Sequence, residues 1–256
     1  MLDVQNQADT REIPLDKVGV KGLEYPIRVL DKKNKSQYTS ATVDLFANLP
    51  KHFKGTHMSR FIEIFHRYRN DLTMPMFLNM LADIRGDLDA EASFGVVNFP
   101  YFLEKTAPVS ALPGMMSYRC NYQGEVNARG RHFTVSISVP VATVCPCSKA
   151  ISERGAHNQR GIVKVTLELG PFFWIEDVID IVEKAASSPV YSLLKREDEK
   201  FITERAYDNP KFVEDLVRDV YLSIRDIKQF PRFSVEAENF ESIHNHSAFA
   251  RAEYVG

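Results

Sequence analysis

Two thiols and an imidazole stand close together in the sequence, in a pattern that could bind a metal. Cys145 and Cys147 lie in Val144-Cys145-Pro146-Cys147-Ser148-Lys149, and His157 lies twelve positions after Cys145 in Gly155-Ala156-His157-Asn158-Gln159-Arg160. The first stretch follows an apparent strand and the second precedes one, so a folded-back connection brings them together. A thiolate and an imidazole at a strand end suit a borderline-soft divalent ion such as zinc. By itself, Cys-x-Cys fits half of a structural zinc site or an incidental pair equally well. A closed structural site takes four protein ligands, usually from two paired motifs, and this chain has three cysteines and no second pair. That shortage favours an open site with a water ligand, whose pKa such a metal lowers to about 7.

Other groups suit proton transfer or substrate binding. Glu241, His244 and His246 fall within Glu241-Ser242-Ile243-His244-Asn245-His246. In an extended segment the two histidines project to one side, and imidazoles titrate near neutrality, which fits acid–base work as well as metal binding. Glu214 sits at the margin of an apolar helical stripe, where it also fits as a carboxylate near a helix N-terminus. Glu199 lies in the charged run Lys195 to Lys200, which spacing alone reads as a solvated segment. Arg60, in Gly55-Thr56-His57-Met58-Ser59-Arg60, leads into a helix whose free N–H groups suit an anion, with Thr56 or Ser59 as an alternative plain cap. Lys105 opens a polar connection, Lys105 to Ser110, that also reads as an ordinary loop.

The elements that must hold these groups follow from periodicity. Strands are expected at 24–31 and 38–49, helices at 57–70 and 73–86, and strands at 91–104 and 115–126. Met58, Phe61, Ile62, Phe65 and Tyr68 mark one buried helical face. Phe133, Val135, Ile137, Val139 and Val141 alternate with polar residues, as do Val163, Val165, Leu167 and Leu169. Helices are expected over Trp174 to Ala186 and Pro210 to Gln229, the second capped by Asn209 and carrying Val213, Leu216, Val217, Val220 and Ile224. Alternation resumes at Phe233 and ends with an extended run through Phe249 to Tyr254. The order ββααββ therefore occurs twice, over 24–128 and 129–256 after an extension of 1–23, and predicts an α+β architecture with antiparallel sheets.

Composition narrows the setting. Thirty-two basic against 34 acidic residues give a formal net charge of -2 over 256 residues, which offers no excess positive charge for nucleic acid or anionic membrane. No apolar run approaches the roughly 20 residues that span a bilayer, and the polar N-terminus has no signal-peptide core, so the expectation is a cytoplasmic protein. In a reducing compartment thiols act as ligands or nucleophiles more often than as disulfides, and Cys120, alone in a strand, reads as a small buried residue.

Six motifs in order, GTHMSRF (55–61), KTAPVS (105–110), CPCSK (145–149), GAHNQR (155–160), NPKFVEDLVRD (209–219) and FESIHNHSAFA (240–250), resemble the prokaryotic type IB GTP cyclohydrolases. The resemblance implies a tunnelling fold with two modules per chain, and homotetramers with active sites where subunits meet. It implies conversion of GTP and water to 7,8-dihydroneopterin triphosphate and formate, feeding folate and queuosine-type pathways. Carried over by position, Cys145, His157 and Glu199 would hold a divalent metal (zinc, manganese or iron(II)). Glu214 would anchor guanine, because two acceptor oxygens match the N1–H and N2–H donors. Cys147, Glu241, His244 and His246 would surround the reacting carbons and move protons as metal-activated water attacks C8. Arg60, Lys105, Lys149, Arg154 and Arg160 are the cations available for the triphosphate, with Arg60, Lys105 and Lys149 preferred.

Two alternatives belong to other classes. A nitrile reductase of the same fold superfamily would use NADPH and a nucleophilic cysteine without a metal. A thiol redox or zinc-storage module would rest on Cys-x-Cys alone and leave the distant carboxylates and histidines without a task.

Overall fold

The computed structural model of the protein describes residues 10–168 and 170–256. Leu169, the last residue of one expected alternation, lies outside the described residues, as do residues 1–9 of the expected extension. The chain is α+β with antiparallel strands, and its hydrogen-bonded strand order is β1 (Leu15–Asp31), β2 (Lys35–Leu49), β3 (Ala92–Thr106), β4 (Pro113–Asn127), β5 (Gly130–Val144), β6 (Asn158–Glu168), β8 (Arg232–Asn239) and β9 (Ala248–Val255), with β7 (Ser188–Pro189) on β5. It divides into two compact units, one holding the described residues up to Pro100 plus Asn121–Val135, the other Tyr101–Cys120 plus Ser136–Gly256.

In the first unit, β1 (Leu15–Asp31) and β2 (Lys35–Leu49) form a hairpin whose turn is closed by Asp31, which accepts from the Lys33 and Asn34 amides at 2.9 and 2.6 Å. β1 starts nine residues before the expected strand. Register shifts between Leu15 and Val18 and between Val20 and Leu23 break its period of two, and its early residues are exposed, so no alternation marks them. Helices α1 (Met58–Tyr68) and α2 (Met74–Asp87) follow, then β3 (Ala92–Thr106), β4 (Pro113–Asn127) and β5 (Gly130–Val144), each of which contributes to both units. The buried face of α1 keeps Phe61 and Phe65 of the expected set and adds Ile64. Met58 and Ile62 remain 40% and 36% exposed, Ile62 lying about 100° round the helix from Phe61. Phe77 of α2 meets Tyr122 and Phe133 edge-on at 6.3 and 5.6 Å. Each such buried ring contributes roughly 1.5–3 kcal/mol.

The second unit continues with α3 (Pro146–Ile151), β6 (Asn158–Glu168), α4 (Ile175–Ala185), β7 (Ser188–Pro189), α5 (Arg196–Asp208), α6 (Val213–Ile227), β8 (Arg232–Asn239) and β9 (Ala248–Val255). Val178, Ile179 and Val182 of α4, with Leu216, Val217, Val220 and Ile224 of α6, bury apolar stripes. The expected Asn209 cap with Pro210 at the first helical position is not what forms. Asn209 ends α5 and its amide donates to the Ala186 carbonyl at 3.0 Å, while Lys211 donates its N–H to Val144 at 3.0 Å. The chain therefore stays extended through Pro210, and α6 starts at Val213 with Phe212 as N-cap.

Helix α5 occupies the run that spacing reads as solvated. Apart from Ala206, its one buried side chain is Asp198, which accepts from Val109 N (2.8 Å), Ser110 N (2.9 Å), Ser110 Oγ (2.6 Å) and Lys195 N (2.8 Å). Burial is the largest single influence on this carboxyl and pushes its pKa up, but the four hydrogen bonds together outweigh it and hold the group well below the usual carboxylate range. Its contribution to stability is therefore complete above about pH 4 and is lost as pH falls toward the depressed folded value. Asp198→Ala leaves three main-chain donors without their acceptor. The expected result is a Tm lower by about 4 °C or more, with a flatter acid limb of the stability–pH curve. A thermal scan and acid titration matching wild type would contradict this role for Asp198.

Candidate metal and acid–base site

Of the expected metal and proton-transfer residues, Cys145, His157 and Glu241 sit where β5 ends and β6 begins. Cys145 is the N-cap of the six-residue α3, half-buried, with Ser148 N donating to its Sγ at 3.5 Å. Its own N–H donates to the His157 carbonyl at 3.1 Å, which closes the loop between the two motifs as the sequence spacing requires. Gly155 makes that closure possible with φ of 134°, a left-handed conformation that side chains strain. Ser148 pins both ends further: its hydroxyl donates to the Cys145 carbonyl at 3.2 Å and accepts from His157 N at 3.1 Å.

Glu241 comes to the same place from beyond β8. Phe240 N donates to the Arg160 carbonyl at 2.8 Å, and Gly161 lets the strands approach, since a Cβ there would lie 2.4 Å from Asn239 Oδ1. Glu241 Oε2 stands 3.9 Å from His157 Nδ1, both side chains being 14% exposed. Gln159, which residue-type reasoning passed over, lies between them: its Oε1 is 3.1 Å from His157 Nδ1, and its Nε2 donates to Glu241 Oε1 at 3.4 Å and to Thr143 Oγ1 at 3.0 Å. The signal available in the sequence was its place two residues from His157, at the start of the strand that follows.

The remaining residues are more dispersed. Cys147 is exposed on α3, and Cys120 is buried, where desolvation and then the Glu176 charge push its thiol pKa far up. His244 and His246 lie in a bent, exposed loop rather than an extended strand, yet their rings stack at 5.1 Å and 19°. Glu214 is exposed in the first turn of α6, and it is Asp215 that accepts from Phe212 N at 3.3 Å, so the helix start is served without Glu214. Glu199 is exposed in the first turn of α5. Among the described residues no three His, Cys, Asp or Glu side chains come close enough together to hold a metal, so Glu199 does not join Cys145 and His157 within one chain.

The expected phosphate cations have partners. Lys105 Nζ donates to Glu183 Oε2 at 2.7 Å and to the Val190 carbonyl at 2.9 Å, and lies over the Tyr191 ring. Burial lowers its pKa and the Glu183 charge partly restores it. Tyr118 shares Glu183 at 2.9 Å, and desolvation followed by that carboxylate's charge raises its phenol pKa. Lys149 donates to the Tyr207 carbonyl and covers its ring at 4.2 Å, which ties α3 to the end of α5. Arg60, in the first unit, donates to the Asp87 carbonyl at 2.7 Å. Neither Thr56 nor Ser59 caps α1, whose N-cap is His57.

The donor set fits a divalent ion in part. His157 keeps Nε2 for a metal while Nδ1 is engaged, the arrangement that orients ligating imidazoles, and Cys145 is joined to His157 through the main chain. Two protein ligands leave room for a carboxylate and a water.

Comparison with known proteins supplies the rest. A family model described as type I GTP cyclohydrolase folE2 matches residues 1–250. A protein named GTP cyclohydrolase FolE2 from Syntrophotalea carbinolica is 51% identical over 254 residues, 99% of this chain and 95% of that one. One of the same name from Geobacter sp. strain M21 is 51% identical over 251 residues, 98% and 94% of the two chains. Among solved structures, a uricase from Bacillus fastidious aligns with TM-score 0.59 at 10% identity over 93% of each chain. The uricase of Arthrobacter globiformis gives 0.54 at 7% over 94% and 93%. These two likenesses concern the fold alone, which is of the expected tunnelling type.

Proposed function

Because the chain belongs to the type I GTP cyclohydrolase FolE2 family, we propose that Cys145, His157 and Glu241 form the centre at which it opens the guanine ring of GTP. The chain is a GTP cyclohydrolase, a hydrolase of the folate pathway. The products we assign are 7,8-dihydroneopterin triphosphate and formate, with supply of queuosine-type pathways as a second use.

The observation that carries the assignment is the linkage of Cys145, His157 and Glu241 where β5 ends and β6 begins, through the main-chain bond from Cys145 N to the His157 carbonyl and through Gln159 between His157 and Glu241. Cys145 Sγ and His157 Nε2 would hold a divalent ion, zinc, manganese or iron(II), with Glu199 as the further protein ligand. A metal with an open position activates water for attack at neutral pH. Glu241, with Cys147, His244 and His246, moves protons to and from the opening ring. Glu214 grips the N1–H and N2–H edge of guanine. Arg60 and Lys149 meet the phosphates by exchanging a carbonyl partner; Lys105, held by Glu183, would have to give up an ion pair to join them.

We read the site as completed where copies of the chain meet, in a homotetramer. Support comes from the separation of the ligands: Glu199 begins α5, about 12 Å along the helix from Tyr207, which Lys149 contacts. Exposed Phe201, Phe240, Ile243 and Phe249 add apolar surface of the kind that copies cover. The division into modules over 24–128 and 129–256 belongs to the same reading, as does a cytoplasmic setting. No helix among the described residues is long and apolar enough to cross a membrane. No observation favours the NADPH-dependent reductase or the thiol module.

Metal-free protein incubated with GTP should release formate and, after oxidation, give pterin fluorescence only when Mn²⁺ or Zn²⁺ is restored. Product formation unchanged by metal removal and return would exclude the metal, and folded protein inactive with every metal would exclude the assigned centre.

A further inference from the structure

Gln159 is 7% exposed and faces three polar groups at once: His157 Nδ1, Glu241 Oε1 and the hydroxyl of fully buried Thr143. The chemistry of these neighbours fixes which way its amide points. The NH₂ side of the amide faces Glu241 Oε1 at 3.4 Å and Thr143 Oγ1 at 3.0 Å and donates to both oxygens. The carbonyl oxygen is then left for His157 Nδ1 at 3.1 Å, and it can only accept. Nδ1 therefore donates to that oxygen, which leaves Nε2 as the ring nitrogen that can face an ion.

We propose that Gln159 is a positioning residue with two arms, one fixing His157 in the tautomer that presents Nε2 to the divalent ion, the other holding the Glu241 carboxylate for proton transfer. The inference rests on the reading of Cys145 and His157 as metal ligands. Glu241 Oε2 does not orient the ring itself, because 3.9 Å exceeds hydrogen-bond reach. The amide thus keeps a ligand and an acid–base group adjacent without letting the carboxylate take the imidazole proton.

The two arms separate by substitution. Glutamate at this position still accepts from His157 but cannot donate to Glu241, whereas leucine does neither. Co²⁺ affinity, followed by the visible absorption of the bound ion, should fall about 10- to 100-fold in Gln159→Leu and stay within about threefold of wild type in Gln159→Glu and Glu241→Ala. Turnover of GTP by the metal-loaded Gln159→Glu enzyme should fall about 10- to 100-fold in kcat with KM little changed. Wild-type Co²⁺ affinity in folded Gln159→Leu, with affinity lost in Cys145→Ala and His157→Ala, would overturn the first arm. Wild-type kcat in Gln159→Glu would overturn the second, and that variant decides the matter if the leucine form does not fold. Retention of Co²⁺ by Cys145→Ala and His157→Ala would instead overturn the metal assignment and the inference with it.

Discussion

Cys145→Ala is expected to lose the divalent metal and the turnover of GTP together, with kcat/KM lower by about 1,000-fold or more. Metal activation of water is worth several kcal/mol of barrier, and each 1.4 kcal/mol is tenfold in rate. The fold should survive the change. The contacts that position this loop, Cys145 N to the His157 carbonyl, Lys211 N to the Val144 carbonyl and the Ser148 hydroxyl with the Cys145 carbonyl and His157 N, do not involve the thiol, and alanine keeps them all. The side-chain bond that is lost, Ser148 N to Sγ at 3.5 Å, is long, so Tm should move by only about 2 °C. Metal content by elemental analysis, formate release and a thermal scan on one preparation decide the matter. A folded, metal-free variant with wild-type turnover would remove the metal from the mechanism. Cys147→Ala makes the contrast, since its thiol is exposed and outside the proposed ligand set, and it should keep metal while slowing the reaction.

The parts of this molecule that follow simple periodicity were legible in its sequence, and the parts held by single polar contacts were not. Alternation through Phe133 to Val141 identified β5 because one face of that strand is buried at every second residue. Helix α5 left no such mark: nearly all its residues are exposed, and it is anchored through Asp198, whose partners Val109 and Ser110 lie some 90 residues earlier. A charged run gives no sign that one of its carboxylates is buried and fully hydrogen-bonded. The same holds at the site. The spacing of Cys145 and His157 showed that a loop brings them together, and the loop does so. That Glu241 arrives beside them depends on the pairing of β6 with β8, a long-range register no local pattern reveals. Lys105 was chosen for its charge, but charge does not disclose the Glu183 carboxylate that Lys105 already meets. Arginine and lysine residues near a polar motif are the least informative candidates for this reason, since buried ion pairs and phosphate sites draw on the same side chains.

Glu214→Gln should cost about 10- to 150-fold in kcat/KM for GTP, and the loss should depend on the base. Glu214 is exposed at the start of α6 while its neighbour Asp215 serves the helix N-terminus, so nothing in the fold requires the carboxylate and Tm should be unchanged. A carboxylate offers two acceptors to the N1–H and N2–H of guanine. An amide offers one acceptor and sets a donor against a donor, and a hydrogen bond to a charged group is worth about 1.5–3 kcal/mol. Inosine triphosphate keeps N1–H and has no 2-amino group, so it already forgoes one of the two bonds. Wild type should therefore prefer GTP over inosine triphosphate by about tenfold or more, and the variant should lose most of that preference, because the substitution and the missing amino group remove the same interaction. Equal losses on both substrates would mean that Glu214 acts on something other than the 2-amino edge of the base. Unchanged kinetics on both would place guanine recognition elsewhere in the protein.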